Sequence, residues 1–76
     1  MINPSEYIEI NSEIRFGKPC IKGTRITVSD VLQWLASDMS IEEIIEDFPQ
    51  LKKNDILACL AYSANREKAT LIATSL

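Results

Sequence analysis

The sequence predicts a mainly α domain of three helices behind a short N-terminal β-hairpin, and three observations carry that expectation. Thr27 with Asp30, and Ser40 with Glu43, form two Ser/Thr-x-x-acid boxes, each opening an apolar stripe of helical period. Alternation of period two is confined to residues 7–16 and 26–28. Residues 56–62 form an unbroken apolar run that covers every face of a third helical segment.

In chain order, Tyr7-Ile8-Glu9-Ile10 alternates, Asn11-Ser12-Glu13 is turn material and Ile14-Arg15-Phe16 alternates again, which together read as the hairpin. Two strands alone leave both edges open, so they must pack on the helices or pair with another chain. Residues 17–25 carry both glycines and one of the three prolines and read as a shaped loop. Ile26 and Val28 bracket Thr27 in a third extended piece. The first helix then runs on Val31, Leu32, Leu35 and Ala36, with Trp34 at the edge of its stripe. The second uses Ile41, Ile44, Ile45 and Phe48 and must end before Pro49, because the residue preceding proline is pushed out of helical dihedrals. The third runs from about Lys53 to Lys68, leaving 69–76 as a tail that frays or folds onto a partner.

Seventy-six residues make one domain, 1–76, divided into hairpin and loop (7–28), tri-helical unit (28–68) and tail (69–76). A chain this small is usually helped by a disulfide, a metal or oligomerisation. It has no histidine, and Cys20 and Cys59 lack metal-ligand spacing. Nothing resembling a secretory signal precedes residue 20, so both thiols are expected reduced and the location cytoplasmic. No apolar run approaches the ~20 residues that span a bilayer. Oligomerisation remains. The stretch Ile56 to Tyr62 covers every face of its helix, and a helix apolar all round is buried on more than one side. Ala58, Cys59 and Tyr62 are therefore expected at a homodimer or obligate-partner interface.

The net charge of -3 is segmented: Arg15, Lys18, Lys22 and Arg25 stand together without an acid, and Asp38, Glu42, Glu43, Glu46 and Asp47 without a base. Such a layout suits docking on a partner of defined charge pattern, or two solvated faces. Two short helices joined by a turn after a preceding helix give the outline of a helix-turn-helix unit, whose last helix enters the DNA major groove. Lys52, Lys53 and Asn54 would then meet phosphates and base edges, with a solvated helix start as the alternative. Lys22, Thr24 and Arg25 flank Gly23, which can relax the backbone around an anion or a partner carboxylate; Arg25 could equally pair within the fold. No nucleophile-base pair, cofactor motif or small-molecule site is discernible, so a non-enzymatic binding module is expected.

Gly17-Lys18-Pro19-Cys20-Ile21-Lys22-Gly23-Thr24-Arg25-Ile26-Thr27-Val28 resembles the Gly-Lys-Pro-x-Ile-x-Gly-Thr-Arg-Ile-x-Val stretch of the bacterial family called domain of unknown function 433. Residues 40–45 and 47–51 are similar to it too, as are Asp55-Ile56 and Ala61-Tyr62; the likeness spans roughly residues 7 to 65. It implies a homeodomain-like three-helix fold and an antitoxin-like role beside a PIN-like putative nuclease. The alternative is an adaptor whose helical unit serves dimerisation and never meets DNA. Asp38 stands where the family commonly has glycine, so that turn is expected to differ here.

Overall fold

A computed structural model describes residues 2–74, with side chains described as far as Glu67. Three helices make up most of it: α1 (Val28–Ala36), α2 (Ile41–Asp47) and α3 (Lys53–Thr74). Ahead of them come a 3-10 turn at Pro4–Glu6 and two short strands, β1 (Ile8–Glu9) and β2 (Cys20–Ile21). The architecture is the expected mainly α bundle with a small N-terminal antiparallel sheet. Among the described residues no helix is long and apolar enough to cross a membrane.

Both capping boxes form. The Thr27 hydroxyl accepts from the Asp30 N–H at 2.9 Å while Asp30 Oδ2 accepts from the Thr27 N–H at 3.1 Å. Ser40 and Glu43 reciprocate in the same way at 3.1 and 3.0 Å. Each box satisfies two N–H groups that a helix start would otherwise leave unpaired. Helix α2 stops at Asp47, with Phe48 as its C-cap in front of Pro49. Helix α3 opens with half a box: Lys52 cannot accept, but its N–H donates to Asp55 Oδ2 at 2.8 Å. The helix continues to Thr74, so residues 69–74 of the expected tail are helical and 75–76 lie outside the described residues.

The strand pairing departs from the expected hairpin. β1 pairs with β2, Ile8 opposite Ile21 and Glu9 opposite Cys20, and not with residues 14–16. Arg15, Phe16 and Gly17 instead form a left-handed turn with φ of 49°, 59° and 80°. Their apolar-polar alternation imitates a strand, but the glycine behind Phe16 is also a turn signal. The third extended piece folds back on β2: Ile21 N–H donates to the Ile26 carbonyl at 2.9 Å, Thr27 bridges Cys20, and Val28 N–H donates to the Pro19 carbonyl at 3.0 Å.

Between α1 and α2 the chain forms a Schellman turn, with Met39 N–H on the Trp34 carbonyl and Asp38 N–H on the Leu35 carbonyl, both at 3.1 Å. Asp38 sits at its left-handed position with φ 71°. The backbone is thus the one glycine serves best, and the expected change of geometry is corrected: the turn is kept and the aspartate bears the strain. Trp34 and Phe48 close the α1/α2 corner with ring centroids 4.5 Å apart and planes within 12°.

The core gathers Ile8, Ile21, Val28, Val31, Ile44, Leu51, Ile56, Ala58 and Cys59. α1 and α2 cover one side of α3 and the Pro4–Glu6 turn covers another.

Candidate functional site

The loop between β2 and Ile26 is built by its backbone. Thr24 N–H returns to the Ile21 carbonyl at 3.0 Å, and positive φ at Gly23 (77°) without positive φ at Lys22 makes a type II turn. Nothing lies within 4 Å of where a Gly23 side chain would begin, so glycine is there for its dihedral and not for space. Thr24, expected as a contact residue, is a brace: its hydroxyl donates to the Ile21 carbonyl at 2.9 Å and accepts from the Ile26 N–H at 3.0 Å. A hydroxyl engaged on both sides has little left for a partner. Lys22 and Arg25, at the two ends of the loop, are exposed, and neither side chain is bonded among the described residues.

Lys52, Lys53 and Asn54 are all exposed at the start of α3. Tyr7 joins that start to the loop. Its carbonyl accepts from the Lys22 N–H at 2.8 Å, and its hydroxyl stands 3.5 Å from Asn54 Nδ2, the outer limit of a hydrogen bond. Two segments thirty residues apart in sequence therefore lie within the span of one tyrosine. Tyr7 thus links the backbone of Lys22 to the side chain of Asn54, with Lys53 and Lys52 next to Asn54 in sequence. The α3 N-terminus adds its unpaired N–H groups and partial positive charge.

The expected interface on α3 divides. Ala58 and Cys59 are 0% exposed inside the single chain, which corrects their assignment to a subunit contact. The chain does supply a second wall for α3, because the N-terminal segment packs against it as well as α1 and α2. Burial, and then the Asp55 charge, push the Cys59 thiol up to about 12, so it is a core atom and not a nucleophile. Tyr62 differs: it is half-buried, stands under the Arg66 guanidinium at 5.7 Å, and lines an open groove of about 520 Å³ between α1, α3 and Pro19.

The family described as Protein of unknown function (DUF433) matches residues 8–63. The chain belongs to DUF433. A DUF433 member protein from Anabaena variabilis ATCC 29413, known from a crystal structure, is similar over 91% of this chain and 68% of that one, at 20% identity and a TM-score of 0.75. At that identity the likeness speaks for the fold. No curated protein matches the sequence.

Sequence reasoning missed one structural residue in this DUF433 chain. Arg15 Nη1 donates to the Arg25 carbonyl at 2.9 Å and to Asp30 Oδ2 at 3.2 Å, tying the left-handed turn to the loop and to the α1 cap. Partial burial acts to raise the Asp30 pKa, but the hydrogen bonding from Thr27 and the Arg15 charge outweigh it and hold the carboxyl below its ordinary range. Two features could have pointed to Arg15: an arginine directly before Phe-Gly, and a capping acid with a spare lone pair. Among the described residues no three His, Cys, Asp or Glu side chains are placed to hold a metal.

Proposed function

We propose that this chain is a non-enzymatic, homodimeric, cytoplasmic binding module that grips DNA with Lys22, Arg25, Lys52, Lys53 and Asn54 and serves as the antitoxin-like partner of a PIN-like nuclease. The observation that carries the DNA reading is the Tyr7 junction, which sets an exposed basic loop beside the exposed start of α3. Lysine and arginine suit phosphates, and an asparagine on the first turn of a last helix suits the adenine edge. α1, α2 and α3 follow the order of a helix-turn-helix unit, in which α3 is the reading helix. The antitoxin part rests on family likeness.

Fluorescence anisotropy with a ~30-base-pair duplex tests it. Binding should weaken steeply between about 50 and 200 mM salt, and each lost phosphate contact, as in Lys53→Ala, should flatten the log-log slope by about 1. Absence of binding at the low end refutes the DNA reading. The adaptor reading then takes its place, favoured by one observation: Glu42, Glu46 and Asp47 lie exposed along α2 with no internal partner among the described residues. Co-purification with a neighbouring nuclease tests the antitoxin part separately.

A further inference from the structure

Phe16 is 97% exposed at the tip of the left-handed Arg15–Gly17 turn. An L-residue disfavours that backbone region, and a phenyl ring disfavours water. For Arg15 the strain is offset by its bonds to Asp30 and the Arg25 carbonyl. For Phe16 nothing among the described residues offsets either term. The tie through Arg15 instead holds the ring outward in a defined place.

The same chain carries a socket. Pro19, Val28, Leu32 and Tyr62 give the groove an apolar lining, with Lys18 and Ser63 among its polar members. Its volume of about 520 Å³ lies in the range of about 300–1,000 Å³ that receives compact organic groups, larger than a benzyl side chain needs. Phe16 is three residues from Pro19, at most about 10 Å of chain. A projection this near a recess on one surface meets the requirement of a two-fold contact, in which each copy offers the same patch and both insertions occur at once.

We propose that Phe16 of each protomer inserts into the Pro19/Val28/Leu32/Tyr62 groove of a second copy, forming a reciprocal dimer. This rests on the homodimer part of the proposed function and places the contact at Tyr62 and the Phe16 turn, away from the sealed Ala58 and Cys59. Two insertions, each covering on the order of 200 Å² of phenylalanine and as much of the groove, bury on the order of 800 Å². That is about half of a standard interface of ~1,600 Å², which places the contact among weak, transient associations.

Sedimentation velocity across the micromolar range, with circular dichroism to verify folding, tests it. Phe16→Ser removes the projection from a fully solvated site, and Ser63→Tyr fills the socket. Each should weaken dimerisation at least about tenfold, as loss of a central anchor does. Leu60→Ser, two residues from Tyr62 and so on the far side of α3, should leave it unchanged. A wild-type chain that stays monomeric overturns both this inference and the homodimer reading. A wild-type dimer that survives Phe16→Ser, or one disrupted by Leu60→Ser in place of Ser63→Tyr, overturns this inference alone.

Discussion

Replacing Asp38 with glycine should stabilise the protein, which is unusual for a substitution chosen from structure. Asp38 occupies the left-handed position of the α1 Schellman turn at φ 71°, beside the carbonyl end of the helix. The left-handed backbone costs an L-residue about 1 kcal/mol at the low end, where Asp belongs because its short side chain tolerates the region. A carboxylate at the negative end of a helix dipole costs about 0.3–1 kcal/mol more. Glycine removes both but brings about 0.4–1 kcal/mol of extra unfolded-chain entropy. The balance is a gain of about 0.3–1.6 kcal/mol, or about 1–13 °C in Tm for a domain of this size. Asp38→Asn separates the contributions, since it removes the charge and leaves the backbone requirement in place. Thermal and urea melts of wild type, Asp38→Asn and Asp38→Gly at low and high salt would measure both, salt screening only the electrostatic part. A glycine variant that melted clearly below the asparagine variant would show that the strain at this turn is smaller than the chain entropy glycine adds, and would refute the assignment.

Gly23→Ala should behave in the opposite sense, losing about 1 kcal/mol in urea titration through φ of 77° alone, because its added methyl meets nothing. Thr27→Ala should cost about 1–2 kcal/mol in the same assay by opening the α1 capping box at a buried hydroxyl. Asp30 sets an acid limb: its carboxyl is held below the ordinary value, so its contribution is present above about pH 4 and fades as pH falls through the lower, folded pKa. Acid titration of Asp30→Asn should lack that part of the decline, and a curve parallel to wild type would contradict the assignment. Thiol labelling at pH 8 should find neither Cys20 nor Cys59 in the native protein and both in urea, since each is buried and Cys59 is pushed up to about 12.

α1 and α2 were legible because their signals are local. A hydroxyl three residues before an acid, followed by isoleucines or valines at helical spacing, contains its own boundaries, and Pro49 closes the second helix. The strand partner was not legible. Ile14-Arg15-Phe16 alternates as a strand does, and only the distant bonds of Arg15 to Asp30 and Arg25 decide that it turns left-handed. Ala58 and Cys59 misled for a related reason: an apolar run says that a helix is enclosed but not by what, and here α1, α2 and the N-terminal segment of the same chain enclose it. Of the contact residues, Lys22, Arg25, Lys52, Lys53 and Asn54 emerge exposed as their chemistry suggested, whereas Thr24 is spent on the turn. Phe16 in solvent is invisible to periodicity, which registers its apolarity and assigns it inward.

The near-parallel stack of Trp34 on Phe48 also makes the molecule its own optical gauge. The chain contains a single indole, and one face of it is covered by Phe48, the residue that caps α2. Emission therefore reports the seating of α2 against α1 and not the total helix content. A ligand that tilts α2 by a few degrees shifts the spectrum while far-ultraviolet ellipticity stays constant, so partner binding can be followed in the untagged protein.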